Sequence, residues 1–394
     1  MTYDFDEVID RHGTSCLKYD FAAERGRQEN VLPLWVADMD FKTAPGITQA
    51  LQKAVDHGIF GYTDSKHSYF EAVHDWYSER FGWELKEEWL IKTPGVVFAL
   101  AAAVRAFTKE GDAVAIMQPV YYPFSEVIAD NDRVIVNSEL INNNGHYEID
   151  FADLERRITE GNAKLLLLCS PHNPVGRVWS REELVKLGNI CIAHGVTVVS
   201  DEIHADFVYP GHVHTPFASI SEEFADICIT CTAPSKTFNI AGLQASNIFI
   251  SNKELRARFK RAVDQAGYSQ INCMGVFAAE AAYRTGGEWL DQLKEYLAGN
   301  LDFVRGYIAQ KLPMLKLVEP EGTYLLWIDF RGLGLSEEEL EDLISNKAKL
   351  WLDAGAIFGK ASEGFERFNI ACPRSVLAEA FDRIFEAVNG MSRD

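Results

Sequence analysis

"KLLLLCSPHNPVGRVWSREELVKLGNICIAHGVTVVSDEIH", residues 164–204, holds two apolar runs with a helical pattern between them. Neither run alternates with polar residues, which is typical of strands that are covered on both faces of a parallel sheet. Ser180 and Glu183 form an S-x-x-E capping box at the start of the helical pattern, and Gly195 marks its end. The stretch therefore predicts a strand–helix–strand unit.

Similar apolar runs recur on both sides of this unit. Together they predict a large α/β domain with a mostly parallel seven-stranded sheet. Beyond about residue 290, strand and helix patterns mix without regular alternation, which favours a smaller α+β domain. We place the large domain at 48–290 and build the small domain from 1–47 together with 291–394. The seven strand candidates are 89–94, 113–119, 133–138, 164–171, 196–202, 227–233 and 245–251.

The chain carries a strong negative charge. Among 394 residues, 58 acidic and 38 basic side chains give a net charge of −20. This argues against nucleic acid or an anionic membrane as a partner, since both require basic patches. Residues 1–20 lack a basic segment followed by an apolar one, and the longest apolar runs, such as 165–169, are too short to span a bilayer. We therefore expect a soluble, cytoplasmic protein.

Two pairs of residues could suggest a metal site. Cys228 and Cys231 form a CxxC, but they lie in a predicted strand, where residues three apart point to opposite faces. His212 and His214 form an H-x-H with no acidic or cysteine cluster beside it, which favours a solvated loop. The seven cysteines are odd in number and widely scattered, as reduced thiols usually are. We expect no metal.

Polar side chains follow several of the predicted strands, and ligands of open α/β sheets bind at the carboxyl ends of strands. Asn173 stands between two prolines, Asp201 directly follows an apolar run, and Lys236 follows the run at 227–233. Each has an ordinary alternative: an Asn-Pro turn, a helix cap and a surface lysine. The three positions are candidates for one ligand site.

The chemistry of these side chains indicates one cofactor. Small and apolar neighbours lower the pKa of Lys236, which gives the nucleophilic amine that a Schiff base requires. A partly buried carboxylate at Asp201 needs a cation, such as a protonated heterocyclic nitrogen. Gly95, at the start of a helical stretch, lets a phosphate approach free backbone N–H groups. With the amide of Asn173, these groups match the needs of pyridoxal phosphate.

The ordered motifs "TPGVV", "PVYYPF", "SPHNPVG", "SDEIH" and "SKTFNIAGL" resemble the class I/II aminotransferase superfamily of fold type I pyridoxal phosphate enzymes. The resemblance covers nearly the whole chain and implies an aminotransferase-like fold. "LPLWVADMDF" at 32–41, "GYT" at 61–63 and "FERFNIACP" at 365–373 resemble one subgroup, the C–S lyases of the cystathionine β-lyase or MalY/PatB type.

The resemblance implies a role for each matched residue. Lys236 would form the Schiff base and move the α-proton, and Asp201 would pair with the pyridine nitrogen. Asn173 would bond the ring hydroxyl and the substrate carboxylate, which Arg367 would clamp. His204 stands where many relatives place a tyrosine that faces the ring hydroxyl, a departure that the subgroup shares.

Three further residues complete the implied substrate site. Tyr121 would stack on the cofactor ring and, like Ala37, border the substrate. Tyr62 would reach the phosphate and the substrate of the neighbouring subunit, so the resemblance implies a symmetric homodimer with its active sites at the subunit interface. Tyr122 competes with Tyr121 and Arg374 with Arg367; we favour Tyr121 and Arg367 because their motifs align with those of the family.

Gln244 is a departure from the family pattern. Many relatives carry an arginine eight residues after the lysine, where it grips the phosphate, and here that charge is missing. The prediction is that the phosphate depends instead on the amides of Gly95, Val96 and Val97, on Thr232 and Ser235, and on Tyr62 of the partner chain.

The subgroup resemblance implies β-elimination. An amino acid with sulfur on its β-carbon would give a thiol, pyruvate and ammonia; L-cystathionine would yield homocysteine, and L-cysteine would yield sulfide. A class I/II aminotransferase shares the same core motifs and is the alternative enzyme. A non-catalytic regulatory binding module is a third reading, which the intact lysine, aspartate, asparagine and arginine oppose.

Overall fold

The computed structural model describes residues 2–391. Its α-helices are α1 (Pro45–His57), α2 (His67–Phe81), α3 (Val96–Phe107), α4 (Pro123–Ala129), α5 (Phe151–Gly161), α6 (Arg181–Ala193), α7 (Glu222–Asp226), α8 (Pro234–Thr237), α9 (Lys253–Gln265), α10 (Cys273–Thr285), α11 (Gly287–Lys311), α12 (Glu337–Asp342) and α13 (Arg374–Met391). Its strands are β1 (Leu32–Pro33), β2 (Leu90–Thr93), β3 (Ala113–Ile116), β4 (Val134–Asn137), β5 (Ile141–Asn143), β6 (His146–Glu148), β7 (Leu165–Cys169), β8 (Thr197–Asp201), β9 (Cys228–Thr232), β10 (Ser246–Phe249), β11 (Lys316–Val318), β12 (Leu325–Asp329), β13 (Leu350–Trp351), β14 (Asp353–Ala354) and β15 (Phe365–Asn369).

Seven strands form the large sheet, in the order β2-β10-β9-β8-β7-β3-β4. They are the seven strands expected from the sequence, and all neighbours are parallel except those of β10, which runs antiparallel to β2 and β9. The predicted mostly parallel seven-stranded sheet is therefore confirmed. Cys169 of β7 pairs with Asp201 of β8, and Asp201 with Cys231 of β9, so these three strands end side by side.

Helices cover both faces of this sheet, which explains why its strands are apolar without alternation. One face packs against α3, α4 and α9, and the other against α5 and α6. Cys228 belongs to the second of these apolar clusters and Cys231 to the first, so the two thiols lie on opposite faces, as predicted. The predicted capping box also forms: Ser180 Oγ accepts from the Glu183 N–H at 3.2 Å, and a Glu183 carboxylate oxygen accepts from the Ser180 N–H at 2.8 Å.

The C-terminal part of the chain contains a four-stranded antiparallel sheet in the order β11-β12-β15-β14. The N-terminal segment is tied to it, because β1 pairs in parallel with β13. The domain boundaries at 48–290 and at 1–47 with 291–394 stay predictions. The hairpin of β5 and β6 was not predicted, since its strands are short and β5 is fully exposed. No helix within residues 2–391 is both long and apolar enough to cross a membrane.

Candidate active site

One cavity opens where β7, β8 and β9 end, with a volume of about 210 Å³. Its walls come from the segments after these three strands, from the start of α3, and from the segment before α1. Eleven of the thirteen predicted site residues line it: Ala37, Gly95, Val96, Val97, Tyr121, Asn173, Asp201, His204, Ser235, Lys236 and Arg367. The fold thus brings together side chains that lie up to 330 positions apart in the sequence, which are Ala37 and Arg367.

Lys236 lies in α8, directly after β9, and its Nζ donates to the carbonyl oxygen of Ala37 at 2.6 Å. Burial lowers the pKa of Lys236 to about 8, and the positive charge of Arg367 acts in the same direction. The carboxylates of Asp38 and Asp201 oppose this shift. With that pKa about a tenth of the lysine is neutral at pH 7, against about one molecule in three thousand at the ordinary value of 10.5.

The Ala37 carbonyl is held in place by its neighbours. The buried Tyr324 hydroxyl also donates to it, at 3.1 Å. Asn369 of β15 donates through Nδ2 to the carbonyls of Val36 and Asp38, at 2.8 and 2.6 Å. The oxygen that Lys236 contacts therefore belongs to a segment fixed from both sides. Sequence reasoning missed Tyr324, since a tyrosine at the start of an apolar strand carries no signal of this contact.

Asp201 is the last residue of β8, and it is buried. Its Oδ1 accepts from the Ile203 N–H at 3.1 Å. Burial raises the pKa of Asp201 to about 7, and the negative charge of Glu202 adds to this shift, while the Ile203 hydrogen bond and the Lys236 charge oppose it. A cation placed against this carboxylate would favour its ionised form, which is what a protonated ring nitrogen provides.

Asn173 and Arg367 meet inside the cavity. The buried Arg367 donates through one terminal nitrogen to Asn173 Oδ1 at 3.0 Å, and through the other to the Trp35 carbonyl at 2.8 Å. The second terminal nitrogen also pairs with the buried carboxylate of Asp353, which faces Arg367 across β14 and β15. Sequence reasoning missed Asp353, because only the strand register brings it to the arginine. Arg374 lies outside the cavity, where its Nε donates to Asn300 Oδ1 at 3.0 Å.

The N-terminus of α3 faces the same cavity. Gly95 precedes this helix, and no side chain caps its first turn, so the N–H groups of Val96 and Val97 have no partner inside the helix. Apart from the two neighbours of Gly95 in the chain, a Cβ at this position would meet no described atom within 4 Å, so the space beside the helix start is open. Such a helix start is a suitable place for an anion.

Two orphaned polar atoms test whether the cavity suits pyridoxal phosphate. His204 Nδ1 and Arg367 Nε are buried, and neither has a hydrogen-bond partner in the part of the chain that the structure describes. Burial, together with the charges of Lys236 and Arg367, lowers the pKa of His204 to about 3, so its ring is neutral and can share a hydrogen bond with a phenolic oxygen. With the amine, the carboxylate and the helix start, these residues fit the cofactor.

Thr232 and Tyr62 do not line this cavity, and Tyr121 shares its place there with Tyr122. The Thr232 hydroxyl points away from the cavity lining and donates to the Asn247 carbonyl at 2.9 Å, so the structure does not place it at the phosphate. Tyr62 is fully exposed and lines no part of its own chain's cavity. Tyr121 and Tyr122 both line the cavity, with ring centroids 5.3 Å apart, so the choice of Tyr121 stays a prediction.

Few cationic side chains line the active-site cavity, and the two histidines of the H-x-H pair lie outside it. Lys236 and Arg367 are the only lysine or arginine among the described residues that line it, and Gln244 is exposed. The expected solvated loop is correct for His212, which is exposed, and wrong for His214, which is buried with its Nε2 3.0 Å from a Glu202 carboxylate oxygen. Within residues 2–391 no group of three or more histidine, cysteine or acidic side chains could hold a metal ion.

The fold and the cavity define the class of protein, and comparison with known proteins agrees with them. Over residues 29–384 the chain matches the family of class I and II aminotransferases. It belongs to this family.

Three similar proteins cover the chain from end to end. Cystathionine beta-lyase PatB of Bacillus subtilis (strain 168) is 46% identical over 98% of this chain and 100% of its own length. Protein MalY of Escherichia coli (strain K12) is 33% identical over 99% of this chain and 100% of its own. Cystalysin from Treponema denticola, whose crystal structure contains pyridoxal 5'-phosphate, superposes with a TM-score of 0.96 at 42% identity, over 99% of this chain and 100% of that one.

Proposed function

We propose that the protein is a pyridoxal phosphate-dependent carbon–sulfur lyase of the cystathionine β-lyase type. It takes an amino acid with a sulfur substituent on the β-carbon and adds one water, giving a thiol, pyruvate and ammonia. The observation that carries the proposal is Lys236, a lysine with a lowered pKa in a cavity that also holds a buried carboxylate and a buried arginine. Full-length similarity to proteins named cystathionine β-lyase favours elimination over transamination.

Each site residue would hold a different part of the cofactor or of the substrate. When bound, pyridoxal phosphate supplies a carbonyl group that joins amines and a ring that draws electrons from the substrate's α-carbon. Asp201 would hold the ring nitrogen, and His204 and Asn173 would face the ring hydroxyl. The first N–H groups of α3 would hold the phosphate. Arg367, with its free Nε, would bind the substrate carboxylate by charge-assisted hydrogen bonds.

Lys236 is the base of the reaction. Its neutral amine takes the proton from the substrate's α-carbon, and the electron pair left behind expels the sulfur from the β-carbon as a thiolate. The Ala37 carbonyl, which accepts from Nζ at 2.6 Å, keeps the amine beside the cavity before the cofactor binds. The lowered pKa matters twice, because only the neutral amine can react with a carbonyl carbon or accept a proton.

The pKa of Lys236 predicts how cofactor loading depends on pH. Because this pKa is lowered from 10.5 to about 8, the neutral amine is available at lower pH than in an ordinary lysine. The rate at which cofactor-free protein binds pyridoxal phosphate covalently should rise about tenfold per pH unit between pH 6 and 7 and level off above about pH 8. Stopped-flow absorbance measures it, with free Nα-acetyl-lysine as the control. A rate that keeps rising to pH 10, as for the free amine, would contradict the prediction.

L-Cystathionine without any oxo acid separates the lyase from the aminotransferase. A lyase releases thiol and pyruvate in equal amounts over many turnovers, since its cofactor returns to the starting state in every cycle. An aminotransferase stops after about one turnover per site, because the amino group stays on the cofactor until an oxo acid removes it. Continuous thiol and lactate dehydrogenase-coupled pyruvate assays distinguish the two. A single-turnover stop, reversed by adding an oxo acid, would overturn the lyase proposal.

We further propose that the active protein is a homodimer in which each chain lends Tyr62 to the partner's cavity. Tyr62 is fully exposed, and its neighbours Ile59 and Phe60 are 72% and 59% exposed, which is an unusual run of uncovered apolar side chains. None of the three lines the cavity of its own chain.

Mixing two inactive variants tests this arrangement. Lys236→Ala lacks the base and Tyr62→Ala lacks the lent tyrosine, but a mixed dimer holds one cavity with both residues intact. Refolding an equal mixture should restore about a quarter of the wild-type activity, because half of the dimers are mixed and each has one working site. Each variant refolded alone is the control. No recovery would show that Tyr62 acts within its own chain or not at all.

A cytoplasmic location is also proposed, and it is supported by the cysteines. All seven are free thiols, five of them buried, as is usual in a reducing compartment. Fractionation of the source cells, with the protein found outside the cytoplasmic fraction, would refute this location.

A further inference from the structure

A second, larger cavity of about 470 Å³ lies behind the wall of the active site. It is enclosed by the end of α2, the segment that follows β8, and the middle of α11. None of the residues 2–391 lines both cavities, but the cavities share a wall: His204 lines the first and Ala205 the second. The wall is braced by Asp206, whose Oδ2 accepts from the hydroxyl of Thr237, the residue after Lys236, at 2.7 Å.

The lining of this second cavity is mainly apolar. Phe81, Phe207 and Leu297 lie on its three sides, and Val208, Pro210 and Val213 continue the apolar surface toward the opening. A concave, mostly apolar surface with a few polar groups is the usual character of a small-molecule site. The proposed reaction uses no part of it.

Two cations face this apolar space. Arg80 stacks on the Trp76 ring at 4.2 Å and pairs with Asp291 at 3.1 Å, and its remaining N–H groups are not used by these contacts. Lys294 is partly buried, and it makes no hydrogen bond or ion pair with any described residue. Burial lowers the pKa of Lys294 and the charge of Arg80 acts in the same direction, whereas the carboxylates of Asp206 and Asp291 oppose this shift.

No carboxylate among residues 2–391 makes a hydrogen bond or an ion pair with Lys294, although the negative charges of Asp206 and Asp291 act on it. Asp206 is buried, and both of its oxygens already accept hydrogen bonds, from Trp76 Nε1 at 3.1 Å and from the Thr237 hydroxyl. Glu295 is exposed and faces water. A buried, unpaired polar atom also lines the cavity: His214 Nδ1 has no partner among residues 2–391.

We propose that this cavity binds a small carboxylic acid with an apolar body, with the carboxylate on Lys294 and Arg80 and the body against the apolar wall. A neutral apolar ligand would leave the Lys294 ammonium unpaired and partly desolvated, which is costly. A highly charged ligand would leave the apolar wall unused. The ligand class follows from these two requirements together, and it differs from the zwitterionic substrate of the active site.

A charged and uncharged pair of probes tests the proposal directly. Isothermal calorimetry on the pyridoxal phosphate-loaded protein should show one saturable site per chain for 3-phenylpropionate. The neutral 3-phenylpropionamide, which has the same shape, should bind at least about tenfold more weakly. Lys294→Gln should weaken 3-phenylpropionate binding about tenfold or more. Lys53→Gln, the same change at an exposed lysine of α1, should leave it unaltered.

A second variant tests the proposal independently, in case Lys294→Gln does not fold. Val213 is 79% exposed at the cavity opening, so Val213→Asp should fold normally, weaken the acid by charge repulsion and leave the amide unaffected. Equal binding of acid and amide, or no saturable heat up to about 10 mM probe, would overturn the proposal. So would inhibition competitive with L-cystathionine at the concentration that saturates the calorimetric signal, because it would place the acid on Arg367.

Discussion

Replacing Lys236 with alanine should lower kcat/KM for thiol release from L-cystathionine by about 10⁴-fold or more, because one change removes both the covalent anchor and the base. The cofactor should still bind without a covalent bond, since the helix start at Gly95 and the Asp201 carboxylate remain. After borohydride reduction and unfolding, the cofactor should therefore stay attached to the wild-type chain and dissociate from the variant.

Lys53→Ala is the matched control, since Lys53 is exposed and lies on α1, away from the cavity lining. It should keep full activity and full covalent loading. If Lys236→Ala retained more than about a hundredth of the wild-type kcat/KM, Lys236 would not be the base.

Replacing Arg367 with alanine should have two separable effects. The KM for L-cystathionine should rise about 10²- to 10³-fold, because a bidentate carboxylate contact is lost. Stability should also fall by about 3–5 kcal/mol, because the Asp353 carboxylate stays buried without its partner. Initial-rate kinetics and denaturant unfolding measure the two effects independently.

Two further variants show which contact causes each of these effects. Arg367→Ala combined with Asp353→Asn should recover much of the lost stability, since the buried charge is gone, while KM stays high. Arg374→Ala should leave KM unchanged and cost about 1–2 kcal/mol through its lost hydrogen bond to Asn300. A KM increase in Arg374→Ala but not in Arg367→Ala would reverse the assignment of the substrate arginine.

The large sheet was predictable because burial on both faces makes each of its strands continuously apolar. The hairpin of β5 and β6 was not, since "INN" and "HYE" are short and largely polar, and Tyr147 is their one buried side chain. Asn144 and Gly145, with φ values of +53° and +96°, mark the turn between the two strands. Apolar runs thus locate the covered strands and miss the exposed ones.

The site was predictable where one strand end carries one functional side chain, as at Asp201 and Lys236. It was not predictable where function depends on a contact between distant strands. Asp353 meets Arg367 only because β14 and β15 pair in that register, and Tyr324 reaches Ala37 only because the start of β12 lies beneath it. For Thr232 the contact with the cofactor stays a prediction, and its hydroxyl donates to the Asn247 carbonyl of the neighbouring strand.

The hydrogen bonds that hold the segment around Ala37 determine when, during translation, the cavity can be completed. Ala37 and Lys236 are translated before Asn369, which lies in β15 and whose side-chain amide fixes both flanking carbonyls. The large sheet can form before that strand exists, because its seven strands end at Phe249. A nascent chain can therefore be folded around its main sheet and still lack a finished catalytic pocket, so activity toward thioethers begins only after β15 has been translated.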